Sequence, residues 1–187
     1  MFYVRRSMFV GLLLLFAITA RAEHGDGVDD ALQYVPYASV VVLKAAGVES
    51  RHQWPQLLAT AAASWVASAG TAYVLKHTIN EWRPDSTDRR SFPSGHATFA
   101  FAGATALRHE YGRVSPWIAV GGYTVATLTA IDRVRRDRHH WHDVCAGAAI
   151  GIGATELTYW LSDRLFPNGK ARLSFNGNRI DLALRLP

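Results

Sequence analysis

Apolar stretches long enough to form helices alternate along the chain with short polar islands, at roughly residues 31–48, 55–76, 96–109, 116–131 and 143–165. Pro55 and Pro116 stand where the first turn of a helix tolerates proline, and Pro167 follows the last stretch as a stop. Small residues recur within the stretches, as in Ala61-Ala62-Ala63, Gly121-Gly122 and the series Gly147, Gly151 and Gly153. Such residues at three- and four-residue spacing let helices approach closely. The pattern predicts an all-α bundle of about five or six helices, the higher number counting an apolar N-terminal segment. Past residue 166 the period changes. Residues 171–175 and 179–186 alternate apolar and polar around Asn176-Gly177-Asn178, which predicts a short β-hairpin-like tail, residues 167–187. A lone hairpin is marginal in water, so it must pack on something.

The N-terminus reads as a targeting signal. Arg5 and Arg6 precede an apolar run over residues 8–20, and Ala20-Arg21-Ala22 has the small-x-small form of a cleavage site. Residues 1–22 are therefore a signal peptide or an uncleaved first helix, and residues 23–166 form one domain. Short polar connections and aromatic residues near segment ends (Trp54, Tyr73, Trp82, Trp117, Trp160) favour a bundle embedded in a membrane. A soluble exported bundle is the alternative, since Glu156 interrupts the last stretch and the mean hydropathy is only +0.01.

At 187 residues the chain holds one core, and 49% hydrophobic residues exclude a disordered or fibrous protein. The net charge of +5 and pI near 9.7 invite a nucleic-acid reading. Much of the basic charge, however, falls within residues 76–90 and 133–138, with no basic tail or helical face. That distribution argues against nucleic acid and suits a small, highly charged anion. The single cysteine, Cys145, excludes an intramolecular disulfide; its Ala/Gly surroundings predict a buried, inert thiol.

Three polar islands carry candidate chemistry. The first is Lys76 and Arg83-Pro84; a spacing of seven places both cations on one helical face. The second, Pro93-Ser94-Gly95-His96, opens an apolar helix, where free backbone N–H groups make an anion site and Ser94 can cap or bind. The third is Arg133, His139 and Asp143; four residues apart on a helix, Asp143 can orient the His139 imidazole and leave its other nitrogen nucleophilic. Arg133 adds a planar donor fork. The set His139, His140, His142 and Asp143 also allows a zinc reading, which the adjacency of His139 and His140 disfavours.

Lys76-x6-Arg83-Pro84, Pro93-Ser94-Gly95-His96 and Arg133-x5-His139-x3-Asp143, in that order, resemble the tripartite signature of the type 2 phosphatidic acid phosphatase superfamily. The likeness extends over roughly residues 31–165. One departure is Asp132, where the family usually has serine before the arginine. The resemblance implies a metal-independent phosphatase without cofactor, acting on a membrane lipid phosphate or pyrophosphate. It implies His139 as nucleophile, Asp143 orienting it and His96 as general acid and base, with Lys76, Arg83, Ser94, Gly95 and Arg133 binding phosphate. Two apolar stretches separate the second island from the third, so all three share one side of a membrane. Positive-inside bias places that side in the periplasm of a bacterial inner membrane. The alternative is a soluble periplasmic acid phosphatase of the superfamily's class A type.

Overall fold

The computed structural model describes residues 28–166 together with the strand backbones 171–175 and 180–184. The N-terminal signal and the Asn176-Gly177-Asn178 turn lie outside the described residues. Six helices are described: α1 (Val28–Leu32), α2 (Val35–Ala45), α3 (Trp54–Thr78), α4 (Gly95–Tyr111), α5 (Pro116–Arg135) and α6 (Trp141–Leu165). Two strands, β1 (Ala171–Phe175) and β2 (Ile180–Leu184), pair antiparallel with Leu173 opposite Leu182.

The elements differ from the sequence pattern at three places. The first apolar stretch is two helices rather than one, because Pro36 at the start of α2 lacks the N–H that continuous winding would use. Next, α3 ends at Thr78, so Arg83 lies in the loop beyond it rather than two turns further along one face. Finally, α6 begins at Trp141 with His140 as its N-cap, which leaves His139 just outside the helix.

Helix α4 is the hub, packing against α2, α3, α5 and α6. Its sequence explains that place. Ala97, Ala100, Ala102, Ala104 and Ala106 are fully buried, and small side chains on every face let neighbours close in. A Cβ on Gly147 of α6 would meet the Ser94 carbonyl at 2.5 Å, and one on Gly151 would collide with the Thr98 carbonyl. The interior is partly polar, and some of its groups pair: Thr60 bonds Ser162 at 2.8 Å, and Tyr37 bonds Ser64 at 3.0 Å.

The outward faces carry the larger apolar side chains, among them Trp65, Val66, Val74, Leu128, Leu157 and Trp160. Helices α3 and α6, with 25 residues each, are long and apolar enough to cross a membrane. At 1.5 Å per residue each spans about 37 Å, more than a hydrocarbon core of about 30 Å. Cys145 is exposed on α6, one turn beyond the exposed Trp141, and not buried as its surroundings suggested. In a bundle whose outside is apolar, an Ala/Gly run does not mark the interior. Glu156 does not interrupt its helix either: it pairs with Arg108 and, at 3.1 Å, with His109.

Candidate active site

The helices alternate in direction, so the C-termini of α3 and α5 and the N-termini of α4 and α6 meet at one end. Two N-termini there aim partial positive charge at the same place. The loop between α3 and α4 folds over this end and is tied to the segment before α6. Arg138 pairs with Asp85 at 3.0 Å, the Asp85 amide donates to the Asp137 carbonyl at 3.1 Å, and the Arg83 guanidinium reaches the Arg138 carbonyl at 3.5 Å. The three polar islands, scattered in sequence, are thereby joined.

Asp143 is fully buried at the start of α6. Its Oδ2 accepts from the Ser91 hydroxyl at 2.5 Å and from the His140 amide at 2.8 Å, and lies 3.6 Å from His139 Nδ1. The Asp143 carbonyl in turn accepts from the Ser94 amide at 3.0 Å, linking the second island to the third. His139 is 2% exposed and holds its pKa well below the ordinary imidazole value. Burial is the first cause, followed by the positive charges of Lys76, Arg133 and Arg83, with Asp143 opposing them. The ring is therefore neutral, and the three cations converge on it.

The other expected residues fall nearby. Lys76 donates to the Arg90 carbonyl at 2.8 Å, and Arg83 is held by Asp88 at 2.9 Å. Arg133 is buried in the last turn of α5. Ser94 is the N-cap of α4, its Oγ accepting from the Ala97 amide at 3.5 Å, and Gly95 opens the helix. His96 follows in the first turn, where its Nε2 meets Asp30 of α1 at 2.6 Å.

Ser91, Asp30 and Glu81 are additions that sequence reading missed. They belong to no periodic stretch, and their contacts span 52 to 66 residues of chain. The suspected histidine cluster is also rearranged. His139 points to the Asp143 carboxylate, while His140 and His142 stack with ring centroids 5.1 Å apart and turn toward Glu81.

Between α3 and α4 a groove of about 550 Å³ opens through the outer face of the bundle. Trp65, Val66, Ala69, Tyr73 and Phe99 line it, and it runs to Lys76 and Gly95.

The PAP2 superfamily model matches residues 53–167, more than half of the chain, so the chain belongs to the PAP2 superfamily. Its architecture is an all-α helical bundle, with two helices long and apolar enough to cross a membrane. A lipid A 1-phosphatase of Porphyromonas gingivalis is 40% identical over 140 residues, which are 74% of this chain and 32% of that protein. The match thus spans about a third of the relative's length. A probable lipid phosphate phosphatase 4 of Arabidopsis thaliana is 36% identical over 81 residues, 37% of this chain and 26% of that one. Among solved structures, Aquifex aeolicus LpxE superposes with a TM-score of 0.57 at 22% identity, covering 80% of this chain and 94% of that one.

Proposed function

We propose that the chain is a metal-independent phosphatase of membrane lipid phosphates, working through a phosphohistidine on the periplasmic side. The observation that carries the reading is a buried, neutral His139 under the positive charge of Lys76, Arg133 and Arg83, with Lys76 also standing at the end of an apolar groove. The groove is open laterally and lined by large apolar side chains. It suits an acyl chain delivered from the bilayer, with the headgroup phosphate arriving at Lys76 and the N-terminus of α4. The apolar outer faces of α3 and α6 weigh against the soluble acid-phosphatase alternative. The similarity to a lipid A 1-phosphatase makes a lipid A phosphate the first substrate to try.

The chemistry follows from the groups present. The three cations, the Ser94 hydroxyl and the Gly95 amide neutralise the phosphoryl oxygens and the charge that builds in the transition state. With Nδ1 turned to Asp143, His139 attacks phosphorus through Nε2. The N–P bond forms as the P–O bond to the lipid breaks, and His96 gives the departing oxygen its proton. Water then attacks the phosphohistidine while His96, now a base, takes its proton; the N–P bond breaks and inorganic phosphate leaves. Asp30 holds the His96 ring during both steps. The cations supply the positive charge that a metal ion supplies elsewhere.

Phosphate release by the detergent-purified protein from a panel of lipid phosphates, with p-nitrophenyl phosphate beside them, tests the reading. The expected outcome is preferential, EDTA-resistant hydrolysis of a lipid phosphate, lost in His139→Ala. Hydrolysis that EDTA abolishes, or that His139→Ala retains, contradicts it.

A further inference from the structure

Beside the reacting pair, and sharing Asp143 with it, is a second constellation whose other three members the proposed chemistry leaves unused. Glu81, from the loop after α3, meets His140, His142 and Asp143 at the start of α6, and one ligand atom from each lies within 4.8 Å of all the others. The separations are 3.4 Å from His140 Nδ1 to Glu81 Oε1, 3.4 Å from His140 Nδ1 to Asp143 Oδ2 and 3.3 Å from His142 Nε2 to Asp143 Oδ1. Ligands at zinc distances of about 2.0–2.1 Å in a tetrahedron stand about 3.3 Å apart along each edge. The 2.5 Å contact of His142 with Glu81 is shorter than such an edge, as a hydrogen bond that a cation would replace.

The second observation is unsatisfied polarity. Asp143 Oδ1 is buried and accepts no hydrogen bond, although its residue is fully enclosed, and His140 Nδ1 is likewise buried without one. Buried polar atoms normally find partners. His140 Nδ1 lies 3.4 Å from the other Asp143 oxygen, Oδ2, and Asp143 Oδ1 lies 3.3 Å from His142 Nε2, so both orphaned atoms belong to the cluster that Glu81 completes. Two carboxylates brought this close repel unless positive charge lies between them.

We propose that Glu81, His140, His142 and Asp143 bind a borderline transition cation of the Zn2+ class, and that its binding inhibits the enzyme. Two imidazoles with two carboxylates select Zn2+ or its neighbours over Mg2+ and Ca2+, which take oxygen ligands. Inhibition follows because Asp143 serves both sites, a step that rests on the proposed partnership of Asp143 with His139. A cation on the carboxylate neutralises the charge that supports His139 as it becomes positive on attacking phosphorus. Binding also replaces the hydrogen bond between His142 and Glu81.

Co2+ titration of the full chain in detergent, followed by visible absorption, reads the site without any turnover. One Co2+ per chain with a tetrahedral spectrum is expected, displaced by Zn2+ and not by Mg2+. Glu81→Gln and His142→Gln should each weaken binding by about tenfold or more, with unchanged thermal melting. No tetrahedral spectrum in the native chain, or equal binding by both variants, overturns the site. Zn2+ protection of His140 and His142 from diethyl pyrocarbonate gives the same answer with no substitution, and equal modification with and without Zn2+ refutes it. In phosphate release, Zn2+ should slow the native chain reversibly by EDTA and spare the two variants; equal slowing of all three overturns the inhibitory coupling. A cobalt site in a protein that hydrolyses no phosphate would keep the cation site and dismiss the phosphatase reading.

Discussion

The Ser91 hydroxyl and the His140 amide both donate to Asp143 Oδ2, leaving that oxygen aimed at His139. A hydrogen bond to a charged group contributes about 1.5–3 kcal/mol. Ser91→Ala should therefore lower kcat by about tenfold or more with little change in KM, as steady-state kinetics would measure; an unchanged kcat dismisses the contact as structural. His96→Ala should cost about 10²–10⁴ in turnover, the usual contribution of a general acid. Most residues of the candidate site were legible in the sequence because their spacing is local: Arg133, His139 and Asp143, or Ser94, Gly95 and His96. Ser91 and Asp30 were not. Each acts through one contact across more than fifty residues, and nothing in their own neighbourhoods signals it.

Helices were readable as apolar stretches, but their ends were not, and the ends decide the geometry. Arg83 and His139 looked like helical residues placed by their spacing to Lys76 and Asp143. Both lie in loops, and loop-to-loop bonds such as Arg138 to Asp85 bring them in. The close packing of α4 on α6 was better signalled, by Gly147 and Gly151. Gly147→Leu would drive a side chain into the Ser94 carbonyl and push α6 away from the residue whose amide holds Asp143. Overpacking of this kind costs about 1–3 kcal/mol. A lowered melting temperature together with reduced kcat is the expected outcome, and melting like the native chain would show that the two helices are not in tight contact.

At the scale of the molecule, the candidate site gathers at one end of the bundle, and the Arg108–Arg113 end lies opposite. The proposed periplasmic orientation predicts that Arg89→Cys, in a Cys145→Ser background, reacts with a membrane-impermeant maleimide in intact cells, whereas Arg113→Cys does not. The reverse labelling pattern would invert the topology. Acid stability follows from His139. Its pKa is lowered on folding, so below an unfolded value of about 6.5 the unfolded chain binds a proton that the native state refuses. Stability therefore falls as pH drops from about 6.5 toward the native pKa. Thermal melting in detergent should show that fall, and His139→Asn should flatten it; an identical slope in the variant would mean that His139 is not held neutral.

The central claim, that His139 itself takes the phosphoryl group, is tested most directly by trapping it. The His96→Ala protein, mixed with a 32P-labelled lipid phosphate and quenched rapidly in alkali, should carry label on the peptide containing His139. That label should survive base and be released by acid, as a phosphorus–nitrogen bond requires. Label on no peptide while phosphate is released, or label on a serine or carboxylate, would contradict the account.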